Sequence, residues 1–100
     1  MTLLSSLFTE DGFTVRVVER RGRVAILAKS KARIPDRFEV VILQHRPEEM
    51  IHGRLYPARE VMPRPERWGI DGFSCFDRAD AEIRFDELAR EGGFSHEGNA

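Results

Sequence analysis

Cysteine is almost absent: Cys75 is the only one in 100 residues, so no intrachain disulfide can form and nothing points to an oxidising compartment. No apolar run approaches the roughly 18 residues of a membrane span, and Met1-Thr-Leu-Leu-Ser-Ser-Leu-Phe8 has neither a basic leader nor an apolar stretch long enough for a signal peptide. A reduced, cytoplasmic setting without membrane insertion is the expectation. Also missing are a Walker loop, a dinucleotide-binding glycine run, a cysteine pair and a His-Glu-x-x-His element, which removes the common signatures of nucleotide and zinc chemistry. No cofactor is expected.

What is present suits a folded soluble domain, with 41% hydrophobic and 33% charged residues. At this length one core is expected, covering residues 1–100 as a single domain: an N-terminal apolar segment at 1–12, a sheet and helix at 13–91, and a flexible tail at 92–100. The net charge is only −1 but is unevenly spread. Residues 14–37 carry eight basic and two acidic side chains, residues 71–100 three basic and eight acidic ones. That dipole marks a charged partner or simply two differently solvated sides of one domain.

Phe13-Thr-Val-Arg-Val17 alternates as a half-buried strand does. A turn at Arg21-Gly22 would set Val17 opposite Ile26 and Val15 opposite Ala28, with the second strand at about 23–31. Pro35-Asp36 should then break the chain. Phe38–Gln44, the most apolar run, reads as an interior strand with Val40 and Ile42 on one face and Val41 and Leu43 on the other. Met50–Tyr56 reads as a shorter strand interrupted by Gly53. Leu3, Leu4, Leu7 and Phe8 have the spacing of a short helix. Gly72–Phe76 is a last strand, Asp77 a helix cap, and Ala81, Phe85, Leu88 and Ala89 a stripe facing the sheet, with Ile83 on the far side and Gly92-Gly93 as the stop. The fold class is α+β: one mostly antiparallel sheet of four to five strands with a C-terminal helix packed on one face.

Trp68 stands in the proline-punctuated stretch 57–72. An indole is costly to leave in water, so it should pin this loop to the sheet edge with its ring N–H bonded to backbone or water. An exposed aromatic contact for a partner is the other use of such a residue. Candidate partner-binding residues are therefore Trp68, Ile83 and the N-terminal Leu3, Leu4, Leu7 and Phe8, which could also mediate a homodimer.

Three further chemistries are weaker. Arg16, Arg20, Arg21, Arg23 and Lys29 could line a basic hairpin that tracks nucleic-acid phosphates, although a pI near 6.3 is low for such a domain. His45 and His52 would face each other across a two-residue turn at Glu48-Glu49, with Cys75 a distant third ligand, short of the four a structural zinc wants. Cys75 between Phe73 and Phe76 suits a buried small hydrophobe better than a nucleophile.

Phe38-Glu-Val-Val-Ile, Tyr56-Pro-Ala-Arg-Glu60, Pro63, Glu66-Arg-Trp-Gly69, Gly72-Phe73, Ala81–Phe85 and Leu88 together resemble a pattern of small accessory proteins of bacteria, their plasmids and phages, to which no activity is assigned. The resemblance covers about half the chain. It implies that the 57–72 loop and the following helix form one unit, and that the role is accessory. The sequence-level reading is a non-enzymatic protein that binds another protein, with nucleic-acid binding through 14–37 second and a small enzyme third.

Overall fold

The computed structural model describes the backbone of residues 2–98 and the side chains of residues 2–91. Strands β1 (Leu7–Glu10), β2 (Phe13–Arg21), β3 (Val24–Lys31) and β4 (Ile34–Ile42) form an antiparallel meander. Strand β9 (Gly72–Cys75) returns to pair antiparallel with β4, giving the order β1-β2-β3-β4-β9. Helix α1 (Arg78–Gly98) packs on β3, β4 and β9. The fold is thus α+β, as the alternation and the C-terminal stripe predict.

Strand β3 is the middle of the sheet because Val24-Ala-Ile-Leu-Ala28 can be apolar on both faces, and all five are buried. On the helix side, Val24, Ile26 and Val40 meet Ala81, Phe85 and Ala89, with Ile42 and Leu88 at the margin. On the other side, Val15, Ala25, Leu27, Val41 and Leu43 are covered by Leu4, Phe8, Met62 and Trp68. The two faces of β4 are those expected. The 57–71 segment and α1 therefore cover opposite faces of one sheet.

Several local expectations are corrected. Leu7 and Phe8 lie in β1, not a helix, because Phe8 can reach the core from an edge strand while Leu7 stays exposed. A bulge between Val17 and Glu19 shifts the first hairpin: Val15 faces Lys29, Val17 faces Leu27, and Arg21 faces Val24, leaving Gly22-Arg23 as the turn. Pro35-Asp36 does not interrupt β4; it sits in an irregular stretch between the Lys29–Arg37 and Lys31–Ile34 pairs, where no ladder N–H is needed. The helix passes through Gly92 and Gly93 to Gly98. The far end of the expected tail, Asn99 and Ala100, lies outside the described residues.

The expected fourth strand is a hairpin. Strands β6 (Glu49–Ile51) and β7 (Arg54–Tyr56) pair across His52-Gly53, both with positive φ, at 51° and 76°. Strands β5 (Gln44–Arg46) and β8 (Arg59–Val61) pair in the same register below them, so 44–61 is one ribbon, broken where Pro47 and Pro57 withhold their donors. Met50 and Leu55 are cross-strand partners near its tip and are 65% and 55% exposed.

The base of the ribbon is tied down by Glu60. Its carboxylate takes two hydrogen bonds from Arg20, at 2.6 and 2.5 Å, and a third from the Leu4 N–H at 3.0 Å. Thr2 adds backbone bonds to Ala58 and Glu60. One carboxylate thus joins the N-terminal segment, β2 and β8.

Candidate functional site

The 62–72 loop is the part of the fold against which clefts open, and its shape follows from its prolines and glycines. Pro65–Arg67 makes one 3-10 turn, with Trp68 N–H donating to the Pro65 carbonyl at 3.1 Å. Arg67 Nε donates to Asp71 at 2.6 Å, and the Ile70 and Asp71 amides both return to the Arg67 carbonyl. Gly69, at φ 94°, lets the chain fold back so that its N–H reaches the Gly72 carbonyl at 2.7 Å.

Trp68 does pin this loop. Its ring lies flat against Gly72, and its Nε1 donates to Ser74 Oγ at 3.2 Å. A side chain on Gly72 has no room, since an added Cβ would stand 2.4 Å from a ring carbon. Gly72→Ala should therefore expel the indole, costing about 1–3 kcal/mol. Because Trp68 is the only tryptophan, its emission reports this directly: a red shift is expected in Gly72→Ala, and unchanged emission at unchanged stability would contradict the stacking.

On one side of Trp68, the β9 edge and the start of α1 form a cleft of about 190 Å³ lined by Trp68, Phe73, Ser74, Cys75, Asp80 and Arg84. Arg84 lies 4.5 Å above the Phe73 ring. Burial, with the Asp80 carboxylate next, pushes the Cys75 thiol up. The helix start is capped as predicted: Asp80 N–H donates to Asp77 Oδ1 at 2.8 Å, and Phe76 N–H donates to Asp80 Oδ2 at 3.1 Å.

The side chain of Phe76 is what the sequence reasoning missed. It precedes the helix cap, a position from which an apolar residue commonly packs back on the first turn. Here the partner position is Ala81, which is fully buried against the sheet, and Phe76 is 93% exposed. Ile83 is 63% exposed one turn beyond Asp80, and Ile70 is exposed in the loop. The signal in the sequence was an aromatic with no place in the alternation of β9, since Phe73 and Cys75 already fill its helix-facing positions.

On the other side of Trp68, a second cleft of about 280 Å³ runs between Pro63, Pro65 and Met62 and a charged floor. Lys29 Nζ lies 3.3 Å from Glu10 and 3.5 Å from Glu39. Burial raises the Glu39 carboxyl above its usual range, against the opposing pull of Lys29. The third cleft, about 190 Å³, lies at the ribbon base among Gln44, His45, Arg46, Arg64 and Arg67.

The other candidates disperse. Leu3, in the N-terminal segment, and Leu7, in β1, are about 60% exposed, whereas Leu4 and Phe8 pack into the core. The five residues of the basic hairpin do not make one surface: Arg20 is bonded to Glu60, Arg21 faces the opposite side over Phe85 and near Asp86, and Lys29 is held by two carboxylates. Arg16 is exposed and Arg23 makes contacts of its own. His45 pairs across the ribbon with Glu60, His52 sits in the turn and Cys75 in β9, so the three do not converge. Among the described residues, no three His, Cys, Asp or Glu side chains come together as metal ligands would. No helix among them is long and apolar enough to cross a membrane.

Comparison with protein families, curated proteins and solved structures gives no match.

Proposed function

We propose that this chain is a non-enzymatic accessory protein that binds another protein through the apolar surface around Phe76, Ile83, Ile70 and the outer edge of Trp68. The observation that carries this reading is the 93% exposure of Phe76. A phenyl ring held in water beside a cleft with an aromatic wall is unfavourable in a free monomer and becomes an anchor once a partner covers it. The short β9 edge adds little backbone pairing, because its Gly72 carbonyl is already taken by Gly69. Side chains, rather than an added strand, then provide the affinity. The upward push on the Cys75 thiol supports a binding role over nucleophilic catalysis. The resemblance of residues 38–88 to plasmid and phage accessory proteins agrees with such a role.

The test is site-specific photo-crosslinking in the native host. A photoreactive residue at position 76 should give a discrete adduct with another protein chain, either a second copy or a distinct partner, and one at the exposed Arg90 should not. Equal yields at the two positions would remove the reading.

A further inference from the structure

The cleft at the ribbon base is lined by basic side chains from two separate elements. Arg46 and His45 come from β5, and Arg64 and Arg67 come from the 62–72 loop. Arg64, the extended residue that precedes the 3-10 turn, and Arg67 at its end both line the cleft. Pro63 and Pro65 fix the backbone around them. Asp71 accepts from Arg67 through Nε, which orients that guanidinium and leaves its terminal nitrogens for another acceptor. Arg46 reaches Glu49 only at 4.0 Å, and among the described residues no carboxylate lies within that distance of Arg64. Among the described residues, no acidic side chain lines the cleft itself. Three guanidinium groups and an imidazole thus face one concavity, with Gln44 beside them.

We propose that this cleft binds a phosphate monoester carried on a side chain of the protein partner. The proposal rests on the protein-binding reading for the source of the phosphate, and on the cleft alone for its chemistry. Size favours a group over a whole ligand: about 190 Å³ is below the roughly 300–1,000 Å³ of sites that enclose a small molecule. Charge favours the monoester: it brings about −1.5 to −2 and three terminal oxygens, which planar guanidinium forks match in pairs. A phosphodiester strand would need a track of cations at successive phosphates. Of the described basic residues outside the ion pairs, Lys31, Arg33 and Arg37 lie at the opposite end of β3 and β4. The ribbon carrying Arg46 also presents Met50 and Leu55, which would lie along the flanks of a bound peptide.

The probe is phenyl phosphate, titrated into the whole chain and followed by backbone amide shifts. Saturable shifts at Gln44–Arg46 and Arg64–Arg67 are expected, with dimethyl phosphate and acetate at least tenfold weaker. Arg64→Gln should weaken phenyl phosphate at least tenfold with the rest of the spectrum unchanged, and Arg64→Lys should not restore it, since an ammonium cannot make the fork. Equal affinity in wild type and Arg64→Gln overturns the proposal, as does tighter binding of a thymidine 12-mer at these residues. The two readings fail separately. If position 76 crosslinks a partner but phenyl phosphate moves no amide here, the cleft proposal falls alone. If phenyl phosphate binds and position 76 is silent, the partner surface falls and the phosphate site stands. Crosslinking that is unchanged by prior phosphatase treatment would remove the partner as the phosphate's source.

Discussion

Arg20→Met should cost about 3–5 kcal/mol of folding stability, because it leaves a carboxylate buried without its counter-charge. The Glu60 side chain is only 1% exposed, whereas that of Arg20 is 27% exposed, so the two halves of the pair are not equivalent. Removing the arginine strands Glu60 with the Leu4 amide and the more distant Arg23 charge. Removing the carboxylate in Glu60→Gln lets Arg20 turn towards water, at a cost of about 1–3 kcal/mol. Urea midpoints for the two single variants and the double variant separate these terms, and a double-variant loss close to the sum of the singles would show that the pair does not act as a unit.

The same pair sets a pH response. Hydrogen bonding to Arg20 holds the Glu60 carboxyl below its ordinary range, so the folded state binds this proton less readily than the unfolded state. Its contribution is fully present above the unfolded carboxyl range, near 4.3, and is lost as pH falls through the lower folded value. Wild type should therefore lose stability on acidification more steeply than Glu60→Gln. Parallel acid profiles would contradict this assignment.

Phe85→Ala should have a comparable effect, about 3–5 kcal/mol. The ring is 1% exposed at the centre of the helix–sheet cluster, between Ala81 and Ala89 on its own helix and Val24, Ile26 and Val40 below. Those neighbours are small or β-branched and cannot collapse into the space. Arg21 also loses the ring over which its guanidinium lies at 5.2 Å. With total stabilities of about 5–15 kcal/mol for such domains, this single change removes a large share. Phe85→Leu keeps most of the volume and should cost under about 1.5 kcal/mol. If alanine proved as mild as leucine, α1 would not be the element that closes this face.

Where the two-residue and 3.6-residue periods were clean, the sequence was enough. The two faces of Phe38–Ile42 and the stripe Ala81, Phe85, Ala89 follow directly from them, and so does the Asp77 cap. The register of the first hairpin was not legible because Val17-Val18 puts adjacent valines into opposite clusters, and the bulge beside them shifts every later pair by one. The ribbon was hidden by a histidine in the left-handed region, where asparagine or aspartate would have announced the turn. Leu7 and Phe8 fit a helical spacing with Leu3 and Leu4 as well as the strand they join, and only the partner strand decides between the two.

The functional surfaces were legible in part. Trp68 was recognisable as an anchor from its surroundings of proline and charge. Phe76 carried only the signal of an aromatic outside the alternation of β9, and nothing local says that a residue before a helix cap fails to pack. The arginine cleft required the 62–72 loop to bring Arg64 and Arg67 to one concavity, and the ribbon to bring Arg46 alongside them.

Most directly at stake is whether Phe76 is a binding anchor. The decisive measurement is the affinity of the partner captured at position 76 for the wild-type chain and for Phe76→Ser, with equal urea midpoints establishing that the fold is unchanged. A buried aromatic anchor predicts a loss of at least about 2 kcal/mol, or roughly thirtyfold in Kd. An unaltered Kd would mean that this ring is merely exposed and that the partner surface lies elsewhere.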